Sequence, residues 1–173
     1  MIKLYKTIQN QLHYWEIWQV DEKTAIVYWG IVGKLGQYKE IKSGIFINLP
    51  RTLKNRINTK RKEGYTELDE KQFLYLEIAY KNQTFEKEND LEKRYNLEER
   101  ISHILELRSL GHCNSIATKC DSLEIGCIVT DYNLAKKVID EELKNIEFGD
   151  YTIIYKHSCK SNLTKMLLRT QQN

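Results

Sequence analysis

Two concentrations of residues in this chain could do chemistry. Arg51, Lys54, Arg56, Lys60, Arg61 and Lys62 place six cations in one short segment with no acid between them. Upstream, Trp29 stands before a turn in which Gly30, Gly33 and Gly36 fall within seven residues, with Lys34 inside the turn and Gln37 and Tyr38 after it. Tyr65 lies just beyond the cations. Lysine and arginine neutralise phosphate, which supplies most sequence-independent affinity for nucleic acid. Aromatic rings beside such cations let a base or sugar stack, worth about 1–3 kcal/mol per base on single strands. The expected contacts are therefore Trp29, Tyr38 and Tyr65 for stacking and Lys34, Gln37, Arg51, Lys54, Lys60 and Lys62 for phosphate. Backbone amides at Gly33 and Gly36 are further candidate donors to phosphate. The competing reading is plainer: the cations are a solvated helix face or rest on an acidic surface, and Trp29 plugs a core.

Other chemistries find less. The chain has no Gly-x-Ser-x-Gly, no P-loop, no His-Glu-x-x-His and no dinucleotide glycine fingerprint. His13, His103, His112 and His157 have no Ser or Cys and carboxylate at a recognisable spacing. Asp140-Glu141-Glu142 reads as the solvent side of a helix. The expectation is a non-enzyme with no catalytic residues and no cofactor. Cys113, Cys120, Cys127 and Cys159 all lie in the last third, but a close Cys-x-x-Cys pair, the usual mark of a metal site, is missing. They read as small core thiols rather than as zinc ligands or disulfides.

The elements that must hold these residues are set by periodicity. Residues 3–8, 13–20 and 24–29 alternate as strands, the last two joined across Asp21-Glu22-Lys23, and Tyr38 to Lys42 suggests a fourth. Trp15 and Trp18, three apart on one strand, point to opposite faces. Ile45-Phe46-Ile47 is a further strand or a loop. Asn48 reads as a helix cap with Pro50 in the first turn, and Gly64 as the terminator. The stripe of that helix is thin, Leu49, Leu53 and Ile57, and its remaining surface carries the cations.

Three blocks in this half carry a resemblance: Tyr14-Trp15-Glu16-Ile17, then Trp29-Gly30-x-Val32-Gly33-x-x-Gly36-Gln37, then Lys60-x-Lys62-x-Gly64-Tyr65. Together they resemble a WGR domain, a module of DNA-dependent poly(ADP-ribose) polymerases and of many bacterial proteins, over roughly the first 66 residues. The resemblance implies an antiparallel sheet crossed by one helix, and a Trp29 that packs against the sugar of a broken DNA end. The third signature residue is Ile31 rather than Arg. The coupling of DNA to neighbouring domains that the family's Arg provides has no counterpart here.

Residues 67–72 read as an acidic connector, and residues 73–157 as a second unit. Phe73 to Tyr80 is a strand, and residues near Asp90 to Ser109 a helix ended by Gly111. His112 to Lys119 and Leu123 to Thr130 are strands flanking Asp121-Ser122. Asp131 caps a helix striped by Leu134, Ala135, Val138, Ile139 and Leu143, and Tyr151 to Lys156 closes the pattern. The order βαββαβ over 73–157 is that of a ferredoxin-like domain, a likeness of pattern alone. Residues 158–173 are a basic tail, frayed or helical. The predicted class is thus α+β, a WGR-like sheet with one helix and then a ferredoxin-like domain.

Charge divides the same way. Residues 1–66 hold 12 Lys/Arg against 5 Asp/Glu, residues 67–155 hold 11 against 19, and residues 156–173 hold 4 against none. The split implies nucleic acid, DNA favoured, for the first half, and a protein partner or a second copy for the acidic half. An alternative is an interaction module, such as an immunity or antitoxin-type inhibitor that has lost DNA binding and offers its acidic surface to a basic cleft. No apolar run suits a membrane span or a signal peptide, so the expected location is the cytoplasm.

Overall fold

Gln9 and Asn10 both take positive φ, 49° and 60°. That pair of angles belongs to the tight turn that matches strand twist, and it joins β1 (Ile2–Ile8) to β2 (Gln11–Gln19). A computed structural model of the chain describes residues 1–44, 48–80, 87–113, 125–144 and 151–157. These residues are mixed α and β, with two antiparallel four-stranded sheets and three helices. The chain divides into two compact units, Met1–Asp69 and Glu70–Asn173. Ile45-Phe46-Ile47, Asp121-Ser122, Cys120, Cys159 and the basic tail lie outside the described residues. Among the described residues no helix is long and apolar enough to cross a membrane.

The amino-terminal sheet runs β1-β2-β3-β4 in sequence order, with β3 at Thr24–Ile31 and β4 at Gln37–Lys42. Alternation sends Leu4, Trp15, Ile17, Ala25, Val27 and Ile41 to one face, where α1 (Leu49–Lys62) supplies Leu49. Leu53 and Ile57, one and two turns on, join them. At the start of α1 the Asn48 carboxamide oxygen accepts from the Arg51 amide at 3.0 Å. At its end Gly64 takes φ +88°, its amide donates to the Arg61 carbonyl, and the Tyr65 amide donates to Lys60. That pair of bonds is the Schellman stop, and it needs a residue at ease in the left-handed region. The chain then returns to the outer edge of β1, where Tyr5 and Thr66 exchange two backbone hydrogen bonds of 2.7 and 2.9 Å.

In the second unit β5 (Leu74–Tyr80) lies between β7 (Ile125–Val129) and β8 (Tyr151–His157), and β6 (Gly111–Cys113) flanks β7. Leu76, Ile78, Ile125, Cys127 and Val129 are buried, as are Leu97, Ile101, Ile104 and Leu105 of α2 (Lys87–Leu107). α3 (Tyr132–Leu143) starts with the Asp131 carboxylate accepting from the Leu134 amide, and buries Ala135, Val138, Ile139 and Leu143. Leu134, expected in that stripe, is 39% exposed.

One expected helix stop is corrected. The left-handed stop after α2 is not Gly111 but Ser109, which takes φ 55° while its amide donates to Glu106 and that of Leu110 donates to Leu105. Ser109 is fully buried, and its hydroxyl has no hydrogen-bond partner among the described residues. A serine in this place bears both the left-handed penalty and an unsatisfied polar atom. Ser109→Gly is therefore expected to stabilise the protein by about 0.5–1 kcal/mol, read as a higher urea midpoint at unchanged slope. A lower midpoint would contradict this account of the stop.

Candidate nucleic-acid interface

Trp29 lies on β3 directly across from Trp15 on one side and Gln37 on the other. Two indoles and a carboxamide thus stand side by side on the helix face of the sheet. Trp15 is 5% exposed and belongs to the core. Trp29 is half-buried, packed against that core on one side and facing a groove on the other. The ring thus borders both the core and the groove.

The groove encloses about 510 Å³ between the end of the sheet and α1. Its lining includes seven of the sequence-predicted residues: Trp29, Gly30, Lys34, Gly36, Gln37, Lys60 and Tyr65. His13, Lys39 and Arg56 line it as well, and no acidic side chain does. Lys34, Lys39 and Arg56 make no ion pair with any described residue. Arg56 and Lys60 are one helical turn apart and so share a face. Lys60 pairs with Glu63 at 2.6 Å, and its ammonium lies 5.1 Å from the centre of the Tyr65 ring. The helix stop at Gly64 fixes this last contact, since it turns Tyr65 back over the final turn.

The floor of the groove depends on glycine. On the opposite face of the sheet, Tyr14 is 1% exposed and packs against Tyr28, ring centroids 5.4 Å apart and planes tilted by 49°. A methyl on Gly30 would meet the Tyr14 ring and the Gly36 Cα at 3.1 Å. One on Gly36 would collide with the Tyr14 hydroxyl and stand 2.7 Å from the Tyr28 ring and 2.9 Å from the Trp29 carbonyl oxygen. Gly36 in particular lets the 31–36 turn fold down onto the two phenols, while a side chain at Gly30 would be a tight fit. Burial, and then the neighbouring Tyr28 phenol, push Tyr14 above its ordinary tyrosine range, so it stays neutral. Gly33 holds φ 90° within the turn, and the Val32 amide donates to Leu12 at 2.8 Å. Beyond that anchor Lys34 and Leu35 stand exposed.

Several of the expected contact residues stand outside this groove or are already engaged. Tyr38 pairs with Tyr28 in register, which places it on the face away from Trp29, and it is 69% exposed. The Gly36 amide is already given to the Tyr28 hydroxyl at 2.9 Å and is not available to a ligand. Arg51, Lys54 and Lys62 are exposed on α1 but do not line the groove. On a 3.6-residue turn, Lys54 lies about 200° from Arg56 and Lys62 the same from Lys60. Gly33 shapes the turn without lining the groove. Lys39 and His13 are absent from the expected set, although counting by two from Gln37 along β4 puts Lys39 on the Trp29 face. Ile31 is part of the wall. Among the described residues no group of three or more metal-ligating side chains converges.

No protein-family model matches the chain, and neither a curated protein nor a solved structure shows significant similarity to it.

Proposed function

We propose that the amino-terminal unit is a WGR-like module that binds nucleic acid in the Trp29 groove, most favourably at a DNA end. The observation that carries this reading is a half-exposed indole set among His13, Lys34, Lys39, Arg56 and Lys60 with no acid in the lining. Ends are favoured by geometry. Inside a duplex each base is covered above and below, so an indole held on a rigid sheet meets a free base or sugar face only at a terminus, a nick or a single strand. Lys34, Lys39 and Arg56 neutralise phosphate, while Gln37 adds a neutral donor and acceptor beside the ring. The β6-β7-β5-β8 strand order supports the ferredoxin-like reading of the second unit, which would dock a partner or a second copy.

The test is titration of the full chain with linear, nicked and closed circular DNA over a range of salt. With three or four phosphates neutralised, affinity is expected to fall roughly 40–150-fold between 50 and 200 mM salt. Trp29→Ala is expected to cost about 1–3 kcal/mol of binding while leaving the circular dichroism spectrum unchanged. Ile31, in place of the signature Arg, and the acidic second half favour the rival reading, a protein-binding inhibitor. That reading takes over if neither linear nor nicked DNA is retained at low salt.

A further inference from the structure

Cys113 on β6 and Cys127 on β7 are directly opposite in register. Both are free cysteines, and their sulfurs lie 2.7 Å apart. Two observations identify the kind of pair they form. The Thr130 amide donates to the Leu110 carbonyl at 2.8 Å, so 110/130 is a hydrogen-bonded pair of this ladder. Antiparallel pairs alternate, which makes 112/128 hydrogen-bonded and 113/127 non-hydrogen-bonded. The Cys113 amide agrees, since it points away from β7 and donates to the Ser102 hydroxyl at 3.1 Å. Non-hydrogen-bonded partners have Cα atoms about 4.5 Å apart, inside the range of about 4.4–6.8 Å that a disulfide spans. Cys127 is fully buried, whereas Cys113 is partly exposed beside the exposed His112. Cys113 is on an edge strand of the sheet and is the more exposed of the two.

We propose that Cys113 and Cys127 are an oxidation site at which a peroxide joins β6 to β7 by a disulfide. The Cys113 sulfur, as thiolate, attacks a peroxide oxygen and breaks the O–O bond. This leaves a sulfenic acid and releases hydroxide, which takes up the Cys113 proton as water. The Cys127 sulfur then attacks the Cys113 sulfur, the S–O bond breaks, and the hydroxyl leaves as water with the Cys127 proton. Two thiols lose two electrons, and one hydrogen peroxide becomes two waters. The hydrogen bond with Cys127, and then burial, push the Cys113 thiol up from its ordinary value. Thiolate is scarce at neutral pH, so the reaction is slow there and speeds up roughly tenfold per pH unit as pH rises.

The experiment treats the full chain with hydrogen peroxide, blocks remaining thiols, and maps the digested peptides by mass. A linked peptide containing Cys113 and Cys127, reversed by dithiothreitol, is expected. A Cys120→Ser/Cys159→Ser double variant should lose both its thiols, and Cys127→Ser should leave Cys113 unlinked within the chain. Linkage of Cys113 to Cys120 or Cys159 in the unsubstituted protein would overturn the proposal. So would two unreacted thiols in the double variant at pH 9.

Discussion

Replacing Gly111 by alanine is expected to destabilise the carboxy-terminal unit by about 3 kcal/mol or more, a large part of the 5–15 kcal/mol a domain commonly has. Gly111 opens β6 with φ +147°, a conformation an L-residue rarely adopts. At that angle an added Cβ does not stand perpendicular to the sheet but swings into its plane. It would collide with the Ile128 carbonyl oxygen and stand 2.9 Å from the Ile128 carbonyl carbon and the Val129 Cα. All three atoms are backbone of β7, the strand held by β5 on its other side. No rotamer change relieves such a contact; the ladder itself must open. Thermal or urea unfolding monitored by near-ultraviolet circular dichroism reads the loss. A midpoint within a degree of the unsubstituted protein would show that β6 bends away without cost.

Gly36→Ala is expected to cost about 2–4 kcal/mol in the amino-terminal unit and to weaken the nucleic-acid binding proposed for the groove. Here the obstruction is partly side chain. The Tyr14 hydroxyl and Tyr28 ring stand where the methyl would go, and behind them is the Trp29 carbonyl oxygen at 2.9 Å. Tyr14 is 1% exposed and lies against Tyr28, with ring centroids 5.4 Å apart. The turn must lift instead, which breaks the Gly36–Tyr28 hydrogen bond and carries Lys34 and Gln37 out of line with Trp29. The useful comparison is Leu35→Ala, one residue away and 65% exposed, which should leave the unfolding midpoint within about 0.5 kcal/mol of its starting value. Equal effects from the two substitutions would remove the stacked corner as the cause.

How much of this can be read from the chain depends on the range of the interaction. Asn48 and Asp131 announce their helices because a cap is a contact over three residues, and both form it. The stripe of α3 is legible for the same reason, apart from Leu134 at its rim. The stop of α2 is misread because glycine is the commoner left-handed residue; two residues before Gly111, Ser109 occupies that region at its own expense. Gly111 answers a different demand, made by a strand some seventeen residues later in the chain. In the groove, Trp29, Lys34, Gln37, Lys60 and Tyr65 are legible because charge, ring and turn chemistry are properties of residue type. Tyr38 is misplaced and Lys39 overlooked because strand parity, not composition, decides which of two neighbours faces Trp29. The Tyr14–Gly36 stack joins residues 22 apart in the chain. The pairing of Cys113 with Cys127 needs the β6–β7 register, which no local pattern announces.

The bridge between Tyr5 and Thr66 has a consequence for how the first unit is made and could be rearranged. β1 acquires its outer neighbour only after the whole of α1 has been made, so this seam closes after the other pairings of its sheet can form. It is reinforced by the Lys6 ammonium, which donates to the Glu63 carbonyl at 2.6 Å. Start and finish of the module therefore lie beside each other like the two sides of a clasp. A short linker could join them and the chain be opened at Asn10, a permuted order in which the Trp29 groove would be assembled from an uninterrupted stretch.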